Sequence, residues 1–317
     1  MERTIVKNKH MERIIVKNRR WARIRRNRYI YLMMSAGIIY FFLFKFLPIW
    51  GLLLSFQDYS PFKGFFGSNW VGFKHFSNLF QSEHFYIMGR NTFVISIFNL
   101  VFYFPVPIVL ALMLNEVRHE FFKKINQSIV YLPHFLSWVI LVSLTFFVFS
   151  SDIGIINKWI VASGNEPVLF LSEPKFFWIL LTLQNIWKDA GWGTIIFLAA
   201  IAGVDPARYE AAVIDGASRW RQIWHITLPA IRPTIIILLI LRFGNMADVG
   251  FEQVLLMMNP LVNSVADVFD TYSYTQGIVG GKISVGVAVG MFKGFIGLIM
   301  IVAANYIVKR LGYEGIY

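Results

Sequence analysis

At 317 residues the chain has the length of about two soluble domains, yet 56% of it is hydrophobic and only 15% charged, well below the roughly 25% charged of an average soluble domain. Its 54 aromatic residues, positive mean hydropathy and lack of cysteine describe a membrane protein and exclude a disulfide framework or a thiolate metal site. The net charge of +12 does not describe a nucleic-acid groove, because 11 of the 30 Lys and Arg precede Tyr29.

In chain order, residues 1–28 form a basic arm in which Met1 to His10 and Met11 to Arg20 match at seven of ten positions. The period is too short for a solenoid, and no small-residue cleavage pattern follows, so a secretory signal is not expected. The arm reads as a solvated segment beside anionic lipid, with Trp21, Tyr29 and Tyr31 near the interface.

Residues 29–317 carry six apolar stretches: Tyr29 to Phe56, Thr92 to Leu114, Gln127 to Phe149, Phe176 to Ala202, Thr234 to Met258 and Val285 to Val308. Each meets or approaches the roughly 20 residues that a helix needs to cross a bilayer. An even number of spans places both termini on one side, and 20 Lys and Arg on that side against six on the other make it cytoplasmic. Pro105 and Pro107 predict a kink in the second span. Gly286, Gly290 and Gly294 line one face of the sixth and predict close helix packing.

Catalytic signatures fail. Gly281-Lys282 lacks the earlier glycine and the hydroxyl of a phosphate loop, since Gln276 and Ile283 occupy those positions, and His119-Glu120 lacks a second zinc-binding histidine. Ser284 has Lys282 where a nucleophile elbow needs glycine. No catalytic residue, metal site or cofactor bound by this chain is expected, so the energy for any work it does on a substrate must come from a gradient or from another subunit.

The cytoplasmic loop 203–233 reads as two short helices with a joint. Asp205 is an N-cap with Pro206 at the first helical position, Gly216 supplies a left-handed stop, and Ser218 caps a second helix ending near Pro229. A simple linker needs no such organisation, so the loop looks built for a protein partner. The run Glu210-Ala211-Ala212, then Gly216, Ile226 and Leu228-Pro229 resembles the EAA loop of binding-protein-dependent ABC importer permeases. Phe56 to Gly64, Leu114 to Val117, Tyr131 to Phe135 and Gly250 to Val254 resemble the polysaccharide-type carbohydrate permeases, a group that includes importers of alginate and pectin oligosaccharides.

The resemblance implies an all-α, six-span, MetI-like inner-membrane permease whose EAA helix docks into an ATPase. Glu210, Ala211, Ala212, Asp215, Gly216, Arg219, Trp220 and Trp224 are the implied coupling residues. It also implies two ATPase subunits that bind ATP and Mg, a second permease of a different chain and an external solute-binding protein. Matching to the sugar-contacting positions of a maltose permease gives His134, Trp138, Asn185, Lys188, Trp192, Arg242 and Asn245. The tryptophans offer flat faces to sugar rings, the amides pair with hydroxyls, and Lys188 and Arg242 would bond a carboxylate. Three potentially cationic groups in that set suggest an acidic oligosaccharide, alginate-like. A neutral or pectin-derived oligosaccharide and a gradient-driven secondary transporter are the alternatives.

Lys45, Lys188, Arg242 and Lys293 lie inside spans, where a basic group costs about 2.5–3.5 kcal/mol at the helix centre. They should face a cavity or a partner, with Lys188-Asp189 and Arg242, Asp248 and Glu252 available to neutralise one another.

Overall fold

The computed structural model describes residues 25–310 and Gly312; the duplicated part of the basic arm lies outside them. The chain divides into two compact units after Leu54. The first contains helix α1 (Arg28–Phe41), a π turn (Phe42–Phe46) and the start of the 3-10 stretch Leu47–Phe56. None of the most apolar window of Arg28–Phe56 is buried, and Lys45 is exposed with it.

The second unit opens with a two-stranded antiparallel ladder, β1 (Gln57–Asp58) and β2 (Asn69–Trp70), in which Gln57 faces Trp70. Helices then follow: α2 (Lys74–Gln81), α3 (Glu83–Phe98), α4 (Pro105–Asn115), α5 (Glu120–Tyr131), α6 (Trp138–Phe149) and α7 (Ile155–Ala162). They continue as α8 (Pro174–Ala202), α9 (Pro206–Ile214), α10 (Arg219–Gln222), α11 (Leu228–Gly244), α12 (Phe251–Met257) and α13 (Ile283–Arg310).

Four helical stretches are long and apolar enough to cross a membrane alone, and six when each bent pair is taken as one span. The first bent pair turns by 101° between Phe135 and Trp138, and the second by 71° between Ala202 and Pro206. The third stretch expected from the sequence is therefore broken rather than straight. Its break follows from Pro133 in the 3-10 turn Leu132–Phe135, after which Leu136 and Ser137 adopt extended backbone.

The fifth span also differs from expectation. It runs from Arg219 to Gly244, so no helix ends at Pro229, and residues 245–250 separate it from the short α12. A π turn, Ile223–Thr227, precedes Pro229 and carries the chain through it, with Leu228 N–H bonding Ile223 O. The same device recurs upstream: Leu47 N–H bonds Phe42 O before Pro48, and Phe104 N–H bonds Asn99 O at 2.9 Å before Pro105. A wider turn just ahead of proline accommodates its ring and missing donor without ending the helix. The expected disturbance at Pro105 thus takes the form of the π turn Asn99–Tyr103.

Helix α8 packs against α3, α4, α5, α11 and the turns Asn99–Tyr103 and Leu132–Phe135. One apolar cluster unites Phe177, Leu180 and Leu181 with Val142, Val254 and Met257; another joins Phe197 and Ile201 to Ala111 and Ile231. Of the glycines on α13, Gly286 meets the backbone of Gly277, whereas Gly290 and Gly294 face open space. The expected glycine face is therefore occupied at only one of its three positions among the described residues.

Candidate functional site

The EAA loop has the cap, stop and cap expected of it. Asp205 accepts a hydrogen bond from Ala207 N–H at 3.0 Å, and Pro206 starts α9. At the other end Gly216 N–H bonds Val213 O at 3.0 Å and Ala217 N–H bonds Ala212 O at 2.8 Å. Gly216 has φ +71°. These two bonds and the left-handed glycine satisfy the last carbonyls of the helix in a Schellman arrangement.

The joint is fixed from three sides. Buried Gln222 donates to Ala217 O at 3.0 Å, the Tyr209 hydroxyl lies 3.0 Å from Thr227 Oγ1, and Arg219 lies 3.8 Å from Glu116 beyond α4. Glu210 borders a cavity of about 470 Å³ with Glu116, Arg118, Tyr209 and Arg219. Trp220 and Trp224 border a second, apolar one of about 570 Å³. Ala211 and Asp215 are exposed and Ala212 half-buried. Ile214 is 86% and Trp220 72% exposed, so this ordered loop presents apolar surface that the described residues leave uncovered.

The second constellation is built on α8. Lys188 is only 8% exposed, and its ammonium donates to His134 O at 2.9 Å and to Leu136 O. It also lies 5.3 Å from the centre of the Trp138 ring. Asp189 Oδ1 lies 2.8 Å from His134 Nδ1. The His134 ring stacks on Trp192 at 4.5 Å and 7°. His134, Trp138, Lys188 and Trp192 therefore come together at the break in the third span.

Asn185 and Arg242 sit beside this group. Asn185 donates to Asn99 Oδ1 at 2.9 Å. Tyr103, on the same π turn as Asn99, donates to Asp189 O at 3.4 Å and has the Arg242 guanidinium over its ring at 5.3 Å. Asn245 is exposed at the C-terminus of α11, and no side-chain bond joins it to the others among the described residues.

Charge pairing departs from the expected scheme. Asp189 faces His134 rather than Lys188, and Asp248 lies 3.8 Å from Lys293 rather than against Arg242. Lys293 makes its main contact with both oxygens of Asp270 at 2.7 Å. Among the described residues neither Lys188 nor Arg242 has a carboxylate within ion-pair distance.

Asn99, Tyr103 and Asp189 were not among the sequence candidates. Asn99 is an amide inside an apolar run, a signal that a search for uncharged polar groups within spans would have found. The same search finds Gln184 and Gln253, whose buried amides bond each other at 2.8 Å, with Gln184 continuing to Thr145 Oγ1 at 2.7 Å.

No group of three or more His, Cys, Asp or Glu among the described residues could hold a metal ion. The second unit is a set of bent, membrane-spanning helices with an ordered, apolar-tipped loop and a polar break beside helix α8. The family model for the inner membrane component of binding-protein-dependent transport systems matches residues 103–313.

The chain belongs to that family and is a multi-pass, non-catalytic permease subunit of an ABC importer. This membership sets aside the gradient-driven alternative. The chain is 51% identical to Protein LplB of Bacillus subtilis over 93% of each chain. It is 52% identical to the polygalacturonan/rhamnogalacturonan transport system permease protein YteP of the same organism, over 93% of this chain and 92% of that one. It superposes with a TM-score of 0.85 on a chain of a bacterial alginate ABC transporter solved in complex with alginate pentasaccharide-bound periplasmic protein. The identity there is 40%, over 93% of this chain and 99% of that one.

Proposed function

We propose that this permease moves an acidic oligosaccharide from an external solute-binding protein into the cytoplasm, past a lining that includes His134, Trp138, Asn185, Lys188, Trp192, Arg242 and Asn245. One observation carries the acidic part. Lys293 is neutralised by Asp270 at 2.7 Å, while Arg242 has no carboxylate within ion-pair distance among the described residues. A passing carboxylate would exchange hydration for charge-assisted hydrogen bonds, each contributing about 1.5–3 kcal/mol net. The likeness to a transporter that imports the acidic polysaccharide alginate, with a TM-score of 0.85 and 41% identity, supports the same reading.

In this reading the loop 203–233 docks into one of two ATPase subunits that bind ATP and Mg, and their closure drives alternating access. Glu210, Ala211, Ala212, Asp215, Gly216, Arg219, Trp220 and Trp224 form the contact, which the exposed Ile214 and Trp220 would make partly apolar. A second, different permease completes the pore. The basic arm and both termini lie on the cytoplasmic side, as the Lys and Arg distribution requires.

The test is uptake into proteoliposomes holding the full complex and its binding protein, comparing uronate oligomers with neutral oligomers of equal length. Preference for the uronate set is expected. Equal or better uptake of the neutral set would refute the acidic substrate and leave the permease role standing.

A further inference from the structure

The break in the third span creates a problem that α8 solves. A helix that stops within a membrane leaves the carbonyls of its last turn without partners. Here the turn Leu132–Phe135 is followed by extended backbone at Leu136 and Ser137, and the ammonium of Lys188 reaches the carbonyls of His134 and Leu136. A cation at that end also meets the negative pole of the helix dipole. The ring of Trp138 covers the same ammonium at 5.3 Å. An ammonium has three donors. Two are committed to backbone, and an aromatic face lies over the group, which is 8% exposed.

The next residue performs the matching task for the side chain. Asp189 receives His134 Nδ1 at 2.8 Å and so fixes the imidazole in the plane in which it stacks on Trp192 at 4.5 Å. Both partners of that hydrogen bond have side chains 31% exposed. Trp192 lies three residues beyond Asp189 on the same face of α8, at 48% exposure. The outcome is a face-to-face stack of two rings from different spans, in which His134 backs the half-exposed ring of Trp192.

Resting on the lining proposed above, we infer that Lys188 and Asp189 are positioning residues. They clamp the broken third span to α8 so that His134 backs Trp192 and holds its half-exposed ring as a stacking platform for a sugar ring, whatever its charge. Recognition of a carboxylate then falls to Arg242, whose guanidinium lies over Tyr103. A brace and a substrate ligand differ in what their loss does. Removing a carboxylate ligand lowers transport of charged sugars selectively, whereas removing a brace displaces the platform for charged and neutral sugars alike.

The experiment measures KM and kcat for uptake of uronate and neutral oligomers of equal length by the full complex in proteoliposomes. Lys188→Met and Asp189→Leu should raise KM for both sugars by the same factor, about 10- to 100-fold, the weight of one charge-assisted hydrogen bond. Their charged-to-neutral ratio should stay as in the parent. Lys188→Arg and Asp189→Asn, which keep a donor and an acceptor in place, should restore most of the loss. Arg242→Met should change the ratio. If Lys188→Met fails to assemble, Lys188→Gln carries the same comparison. Selective loss of the charged sugar in the Lys188 variants would overturn the positioning role. Wild type without preference for uronates would refute only the acidic substrate, because the equal-factor result does not depend on it.

Discussion

Gly191 meets the backbone of Val130 so closely that a Cβ added there would stand 2.6 Å from the Val130 carbonyl carbon and 2.8 Å from its Cγ1. The contact brings α5 against α8 one turn before the broken third span reaches His134. Gly193, two residues on, faces Pro107 of α4 at 3.0 Å from such a Cβ. The hydrogens of these two glycines let α8 sit between two neighbours at once.

Gly191→Ala should therefore destabilise the subunit by about 1–3 kcal/mol, the usual cost of overpacking, because the obstructing atoms are backbone. Gly193→Ala, which meets the Pro107 ring and, at 3.9 Å, the Tyr103 hydroxyl, should cost less. Gly290→Ala, with nothing within 4 Å, should leave the subunit's own stability unchanged. Melting temperatures of the three purified variants in detergent check the order, and equal values for Gly191→Ala and Gly290→Ala would contradict the close contact.

The loop proposed to couple with the ATPase gives a second expectation. Gly216 needs its positive φ but has open space where a Cβ would go. Gly216→Ala should then cost only about 1–2 kcal/mol of backbone strain and leave partial coupling. Gly216→Pro cannot adopt that φ and should abolish substrate-stimulated ATP hydrolysis by the assembled complex. Glu210→Ala should abolish it as well, with membrane insertion intact. Full stimulation in both Glu210→Ala and Gly216→Pro at normal expression would remove the coupling role from this loop.

A third expectation concerns pH. Burial pushes the Asp267 carboxyl, between the fifth and sixth spans, above its ordinary value; a hydrogen bond to Thr271 and the nearby His84 act in the opposite direction. A raised folded value means that the favourable contribution is fully present below the ordinary value of 3.8 and is lost as pH rises through the folded one. At neutral pH the carboxylate is a net cost. Asp267→Asn keeps an acceptor for the Thr271 hydroxyl, which lies 2.8 Å from Asp267 Oδ1, and carries no charge. The variant should melt roughly 2 °C higher at pH 7, with the gain shrinking as pH falls toward 4. A gain that grows on acidification would reverse the sign of the effect.

Much of the architecture was legible from apolar length alone, since a bilayer sets the number of residues a span needs. Gly216 was legible for a different reason: a left-handed stop between two caps leaves a local signature. The bends were not legible. Pro133 breaks its span by 101°, yet Pro229 sits inside a continuous one, and the difference lies in the π turn that precedes Pro229 and in the extended residues that follow Pro133. Periodicity reports neither.

That several candidate residues gather at one place was more legible than how they bond. His134, Trp138, Lys188 and Trp192 come from two spans and meet, but adjacent Lys188 and Asp189 bind the backbone and the ring of His134 rather than each other. Successive residues on a helix diverge by about 100°, so neutralisation between them was the weaker expectation. Asn99 and Tyr103 escaped notice because the matched positions came from the third, fourth and fifth spans, and these two lie in the second.

Spans two and five each contain a π turn, but α8 runs for 29 residues without one. Its C-terminal end leads through residues 203–205 into α9, and Trp192 lies ten residues back, roughly 15 Å along the axis. Regular hydrogen bonding over that length gives stiffness, while the wider turns in neighbouring spans are the places where they can yield. Beyond the 71° bend between Ala202 and Pro206, a push on the loop would thus reach the stacked rings along one regular helix, a lever arm that the softer neighbouring helices do not offer.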